Sequence, residues 1–138
     1  MVGLVLVSHS PKIAEGLTDL TSEIAAEHKG IVAAGGLEDG TIGTDAIRIS
    51  EAIRQANDGD GVVVLADLGS GVMSSETAIE LLEDEDINVK LADAPLVEGT
   101  IAAAVSAMVG SDLEAVLKAA EDCRGVKKYH KSADSLRV

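Results

Sequence analysis

Two uninterrupted aliphatic runs constrain this chain more than anything else in it. Val2-Gly3-Leu4-Val5-Leu6-Val7 and Val62-Val63-Val64-Leu65-Ala66 carry no charge and show no alternation. A strand with one wet face alternates apolar and polar side chains, so these runs read as strands buried on both faces. Such strands need helices above and below them, as in a parallel sheet. A helix signal follows each run. Ser10 and Pro11 read as an N-cap and a proline at the first helical position. Asp67-Leu68-Gly69-Ser70-Gly71 reads as a glycine-rich turn into a helix that ends near Glu83.

The remaining segments alternate in the same way. Ile13, Leu17, Leu20 and Ile24 form one apolar stripe and predict a first helix from about Pro11 to His28, ended by Gly30. Ile31-Val32-Ala33-Ala34 reads as a short second strand, followed by a loop from Gly35-Gly36 to Gly43. Thr44 is the expected N-cap of a second helix lined by Ile49, Ala52, Ile53 and Ala56, with Asn57 to Gly61 as a breaker. Ile87-Asn88-Val89-Lys90-Leu91 alternates like a half-exposed edge strand. Pro95 opens a helical region in which Val97, Ile101, Val105 and Met108 share a face. Gly110 breaks it, and Ser111 with Glu114 reads as a capping box for a last helix to about Asp122.

This order predicts an α/β fold: a single-domain, doubly wound, mainly parallel sheet of about four strands, with helices on both faces. Right-handed crossovers and an edge position for the fourth strand give the strand order 2-1-3-4. The topological switch then falls between strands one and three, where open α/β sheets bind ligands. The turns that meet there are Ser8-His9-Ser10 and Asp67-Leu68-Gly69-Ser70. His9 and Asp67 are therefore expected to face each other across one crevice.

Composition narrows the function classes. The 138 residues suit one domain, read as 1–125, followed by a basic and disordered tail, 126–138. The net charge is −13. The tail holds four of the 11 basic residues and one of the 24 acidic ones, so the body carries −16. A body this acidic does not hold nucleic acid or an anionic membrane unaided, and it suits a partner with a basic face; plain solubility explains the same charge. Phe and Trp are absent and Tyr129 is the only aromatic, which argues against stacking platforms for bases or sugars. Cys123 is the only cysteine, which excludes an internal disulfide and a cysteine-rich zinc site and fits a reducing compartment. The apolar start is too short for a membrane span and lacks the basic flank of a signal peptide, so the expected location is cytoplasmic.

A histidine beside a carboxylate is a chemical device. The carboxylate takes the Nδ1 proton and leaves Nε2 with a free lone pair, able to act as base, metal ligand or nucleophile. Ser8, Ser10, Gly69 and Ser70 surround the pair with hydroxyls and helix-start N–H groups, partners for a phosphoryl group. One His and one Asp are too few for a metal site. The G-x-S-x-G elbow, the Walker A lysine motif and G-x-G-x-x-G after strand one are all missing, so serine-hydrolase chemistry and nucleotide binding are not expected. Asp67 could suggest a phospho-accepting aspartate, but Ser8 and His9 stand where such a site needs its magnesium-binding acids. In the bland reading, His9 and Asp67 merely cap the helices that follow them; their position at the switch favours function. His28 reads as structural, a cation complementing the end of helix one. His130 falls in the tail, and Cys123 reads as a helix-end residue.

Val7-Ser8-His9-Ser10, Ile42-Gly43-Thr44-Asp45-Ala46, Gly69-Ser70 with Ser75-Glu76-Thr77-Ala78, and Ala94-Pro95-Leu96-Val97-Glu98-Gly99-Thr100 stand in an order that resembles the DhaM family. The resemblance covers about residues 1 to 122. These proteins are phosphoryl-donor subunits of phosphoenolpyruvate-dependent dihydroxyacetone kinases, similar in fold to the mannose-type IIA domains of the sugar phosphotransferase system. It implies that His9 takes a phosphoryl group from the phosphocarrier HPr, with Asp67 beside it, and passes it to ADP on a DhaL-type subunit that works with a DhaK-type subunit. It implies a homodimer and no cofactor on this chain, with ADP or ATP and magnesium held by the DhaL-type partner. Some relatives carry fused HPr-like and enzyme I-like domains; this chain is too short for them, so a separate HPr is expected. Two alternatives stay open: a mannose-type sugar transporter subunit that serves a IIB domain, and a non-catalytic binding module with a silent His9.

Overall fold

The computed structural model describes residues 1–129; His130 and the rest of the basic segment to Val138 lie outside the described residues. Four strands, β1 (Gly3–Ser8), β2 (Ile31–Gly35), β3 (Val62–Ala66) and β4 (Val89–Leu91), form one parallel sheet in the order β2-β1-β3-β4. This is the expected α/β architecture and strand order. The two aliphatic runs are the central strands. Leu4 pairs with Val63, Val5 with Val64 and Leu6 with Leu65, and all six are fully buried. At roughly 1.5–3 kcal/mol for each fully buried aliphatic side chain, these central strands are a main source of stability.

Successive side chains point to opposite faces, so each strand feeds two cores. Leu4, Leu6, Val63 and Leu65 pack against α1 (Pro11–Ile24), α4 (Leu96–Met108) and α5 (Leu113–Glu121). Val5, Val7, Val62 and Val64 pack against α2 (Ala46–Ala56) and α3 (Gly69–Leu81). The second helix buries Ile49, Ala52, Ile53 and Ala56, as its spacing predicts.

Two helices turn a different face inward from the one their large residues suggest. In α1, Ala14, Leu17 and Thr21 are buried, while Ile13, Leu20 and Ile24 are about half exposed. In α4, Gly99, Thr100, Ala103, Ala104 and Ala107 are buried, while Val97 and Val105 are exposed. The physical reason is space. On this face the central strands present Leu4, Leu6 and Leu65, which reach further than the Val5, Val7, Val62 and Val64 that meet Ile49 and Ile53 of α2, so the helices approach with small side chains and the larger ones point outward.

Helix boundaries differ from the sequence expectation where a cap decides them. The first helix ends at Ile24 rather than His28. Asp45, not Thr44, caps α2, its Oδ1 accepting from the N–H groups of Ile47 and Arg48. Asp112, not Ser111, caps α5 through the N–H of Ala115. The third helix begins at Gly69, so the glycine-rich turn is its first turn, and it ends at Leu81. The fourth strand keeps only Val89–Leu91 and lies at the sheet edge. His28 lies beyond α1 and is buried: its Nε2 donates to the Val2 carbonyl at 2.9 Å and its Nδ1 accepts the Gly30 N–H at 3.0 Å. Burial holds its pKa below the usual histidine value, so it is a neutral structural residue and not a helix-end cation.

Candidate active site

The C-terminal ends of β1 and β3 lie side by side, and the chain leaves them in opposite directions. The β1–α1 turn carries His9, and the β3–α3 turn starts at Asp67, whose N–H donates to the Val7 carbonyl. His9 Nδ1 lies 2.9 Å from Asp67 Oδ1, and the backbone N–H of His9 donates to Asp67 Oδ2 at 3.0 Å. Two further donors complete the carboxylate. The Leu68 N–H reaches Oδ1 at 2.6 Å, and the Ser8 hydroxyl reaches Oδ2 at 2.9 Å.

This arrangement sets the charge and the tautomer. Burial works against the Asp67 charge, but the N–H groups of His9 and Leu68, the Ser8 hydroxyl and the His9 ring outweigh it and hold its carboxyl below the usual carboxylate range. An ionised carboxylate only accepts hydrogen bonds, so His9 Nδ1 carries a proton, and in the neutral imidazole the lone pair is on Nε2. Nε2 faces the Ser70 hydroxyl at 2.6 Å, on the exposed side of the turn. The ring is therefore oriented from behind by Asp67 and met in front by the Ser70 hydroxyl.

The four small residues expected around the pair divide into two groups. Ser8 is fully buried and sits behind Asp67; its oxygen also accepts the Ser10 N–H at 3.1 Å. The Ser10 hydroxyl caps α1 by accepting from the Ile13 N–H. Both are committed to holding the turn. Gly69 and Ser70 are different. Leu68 precedes α3 without a side-chain cap, so the Gly69 and Ser70 N–H groups have no acceptor among the described residues. Two free N–H groups, the Ser70 hydroxyl and a helix N-terminus thus stand beside Nε2, a setting that favours a phosphoryl oxygen.

Three further residues contribute. Gly71 lies under the carboxylate: a Cβ there would sit 2.8 Å from Asp67 Oδ1. Thr44 comes from the β2–α2 loop, and its Oγ1 lies 2.7 Å from Ser74 Oγ and 3.5 Å from Ser70 Oγ. The preceding Gly43 donates its N–H to the His9 carbonyl at 2.9 Å, with a positive φ of 152° and no room for a Cβ beside Leu37. The resemblance had marked Ile42 to Ala46 but assigned it no role, and the capping pattern pointed Thr44 elsewhere.

Exposed large apolar side chains neighbour this polar centre along the chain. Leu68 and Met73 are 71% and 69% exposed on the segment that carries Ser70, and Ile42 is 68% exposed next to Gly43. Among the described residues no group of three or more His, Cys, Asp or Glu is arranged to hold a metal ion, and no helix is long and apolar enough to cross a membrane.

The family model EIIA-man, described as PTS system fructose IIA component, matches residues 3–117. The chain is 46% identical over 121 residues to the phosphoryl donor subunit DhaM of the PEP-dependent dihydroxyacetone kinase of Escherichia coli, covering 85% of this chain and 26% of that protein. It is 40% identical over 119 residues to the DhaM subunit of PEP-dependent dihydroxyacetone kinase 2 of Listeria innocua, covering 86% of this chain and 95% of that one. The chain thus spans about a quarter of the first relative and nearly all of the second. The crystal structure of the unknown-function protein EF1359 is similar with a TM-score of 0.79 and 36% identity, covering 94% of this chain and 100% of that one.

Proposed function

The chain belongs to the EIIA-man family of PTS fructose IIA components, and we propose that it serves there as a phosphohistidine carrier for a dihydroxyacetone kinase system. In this reading His9 takes a phosphoryl group from phospho-HPr and hands it to ADP held, with magnesium, on a DhaL-type subunit. That subunit, with a DhaK-type partner, then phosphorylates dihydroxyacetone. The chain is a phosphotransfer component rather than a complete enzyme, and it needs no cofactor of its own. The observation that carries the reading is the His9–Asp67 pair: Nδ1 is tied at 2.9 Å to an ionised carboxylate, which leaves Nε2 as an outward-facing nucleophile.

The chemistry follows from the geometry. The Nε2 lone pair attacks phosphorus in line, forming an N–P bond while the donor's bond to phosphorus breaks and its electron pair leaves with the donor. The ring gains positive charge, and Asp67 stabilises it through Nδ1–H. The Gly69 and Ser70 N–H groups and the Ser70 hydroxyl take the phosphoryl oxygens. Transfer onward reverses the step towards the acceptor. The apolar collar of Leu68, Met73 and Ile42 suits protein partners that dock in turn, and the acidic body favours a partner with a basic face. The reading includes a cytoplasmic homodimer. The neighbouring helices α1 and α4 leave Leu20, Ile24, Val97 and Val105 exposed, an apolar face that a second copy would cover.

The test is direct. The chain is incubated with phosphoenolpyruvate, enzyme I and HPr, and its intact mass is recorded before and after acid. One acid-labile phosphoryl group, absent in His9→Ala, is expected; loss of the group on adding DhaL–ADP, with formation of ATP, identifies the acceptor. No phosphoryl uptake by the wild-type chain, or undiminished uptake by His9→Ala, refutes the assignment. The family's description as a fructose IIA component keeps a second acceptor in view, a sugar-transporter IIB domain. Transfer to IIB and not to DhaL–ADP would establish that alternative.

A further inference from the structure

Three hydroxyls stand in a row in front of His9. Ser70 Oγ lies 2.6 Å from Nε2, Thr44 Oγ1 lies 3.5 Å from Ser70 Oγ and 3.4 Å from the Ser70 carbonyl, and Ser74 Oγ lies 2.7 Å from Thr44 Oγ1. Ser70 and Ser74 are one turn apart on α3. Thr44 belongs to the β2–α2 loop and bridges them from outside the helix. It is free to do so because Asp45 caps α2 in its place. Gly43, its chain neighbour, is fixed to the His9 carbonyl at 2.9 Å. The loop is thus fastened to both sides of the nucleophile at consecutive residues.

Proton accounting gives the row a direction. In the neutral imidazole Nε2 carries only a lone pair, so the Ser70 hydroxyl donates its single proton to it. The Ser70 oxygen can then accept, and Thr44 Oγ1 is the donor that faces Ser70, 3.5 Å from its Oγ and 3.4 Å from its carbonyl, its one proton shared between the two. The short contact to Ser74 anchors Thr44, since a Ser74 hydroxyl that donates leaves the Thr44 proton for Ser70. When Nε2 bonds to phosphorus, its lone pair is consumed and Ser70 loses its acceptor. Its hydroxyl must swing to a phosphoryl oxygen, keeping its proton throughout. Whatever holds the Ser70 oxygen during that swing decides how well the hydroxyl is aimed.

We infer that Thr44, anchored by Ser74, is a positioning residue for phosphoryl transfer, acting through Ser70. The inference rests on the reading of His9 as the phosphoryl-accepting residue. The test compares Thr44→Val, which keeps the shape and loses the hydroxyl, with Thr44→Ser, which keeps the hydroxyl. Both are measured for the rate of phosphorylation by HPr charged with phosphoenolpyruvate and enzyme I, across HPr concentrations. Thr44→Val is expected to lower kcat about tenfold with KM unchanged, the worth of one hydrogen bond made in the transition state. Thr44→Ser should restore the rate, and Thr44→Val should add nothing in a Ser70→Ala background. A normal kcat in Thr44→Val, or a full tenfold loss in the Ser70→Ala background, overturns the inference. A wild-type chain that takes up no acid-labile phosphate overturns the His9 reading and this inference with it.

Discussion

His9 is bound to Asp67 twice, through its backbone N–H to Oδ2 at 3.0 Å and through its ring Nδ1 to Oδ1 at 2.9 Å. The same carboxylate therefore fixes both where the residue starts and which way its ring points. Each oxygen also accepts a second donor, the Leu68 N–H on Oδ1 and the Ser8 hydroxyl on Oδ2.

Asp67→Asn exposes this arrangement. An amide has one oxygen, and its NH2 group must face one pair of donors. Turned towards Oδ1, it opposes the Leu68 N–H and drives the proton of His9 to Nε2, which removes the nucleophilic lone pair. Turned towards Oδ2, it opposes the His9 N–H. Both orientations also remove the charge that supports the phosphorylated ring. Phosphorylation of His9 should slow by roughly 10²–10⁴-fold, with the fold retained. The rate is measured by intact mass after exposure to phospho-HPr, and a near-normal rate would reduce Asp67 to a helix-start cap.

Gly71→Ala separates function from stability. The added Cβ would meet Asp67 Oδ1 at 2.8 Å, whereas its contacts with Ala66 Cβ and His9 Cε1, at 3.7 and 3.8 Å, are ordinary. The one group that must move is the carboxylate that orients His9. Alanine is also favoured over glycine in a helix interior by about 1 kcal/mol, which offsets part of the strain. The expected outcome is a melting temperature within a few degrees of wild type and a transfer rate at least tenfold lower, since small misplacements of a reacting group cost rate steeply. Unchanged transfer would mean that the carboxylate has slack the hydrogen bonds do not suggest.

The sheet and the position of His9 were legible in the sequence because both rest on local signals. Uncharged runs mark central strands, and Ser10-Pro11 marks the turn that holds His9. Strand order followed from burial and handedness, and with it the meeting of His9 and Asp67. Helix orientation was not legible in the same way. Large residues of α1 and α4 suggested core faces, but a sheet face already filled by Leu4, Leu6 and Leu65 selects the small-residue faces instead. Thr44 and Ser74 were missed because their contact joins a loop to a distant helix and depends on which neighbour captures the cap. Ser and Thr next to Asp compete for that role, and sequence pattern alone does not rank them.

His28 predicts how stability responds to acid. Its Nε2–H donates to Val2, its Nδ1 accepts from Gly30, and burial holds its pKa below the usual histidine value. Nearby charges include the N-terminal ammonium, which opposes protonation, and Asp58, which favours it. Protonation would place a donor on Nδ1 against the Gly30 N–H. With the folded pKa below the unfolded one, the unfolded chain binds the proton more readily. The contribution of His28 is therefore complete above about pH 6.5 and is lost as pH falls below it towards the folded-state value. Urea unfolding at pH 7.5 and pH 5 should show wild type losing more stability than His28→Gln over the same interval. Equal losses in the two proteins would show that His28 contributes nothing to the acid response.

The apolar collar predicts a binding defect without a folding defect. Met73 is 69% exposed and lies one turn from Ser70; Leu68 is 71% exposed and adjoins Asp67. Side chains this open contribute little to the core, so substitution should leave the melting temperature unchanged. At the centre of a protein–protein contact the same side chains would be desolvated, and truncating or charging one residue there commonly costs 1–2 kcal/mol or more. Met73→Glu should therefore raise KM for phospho-HPr by about tenfold or more, because it adds a buried charge to the complex, while kcat at saturating HPr stays near wild type. Met73→Leu should behave as wild type, since it preserves the apolar surface. If Met73→Glu and wild type saturate at the same HPr concentration, Met73 lies outside the docking surface.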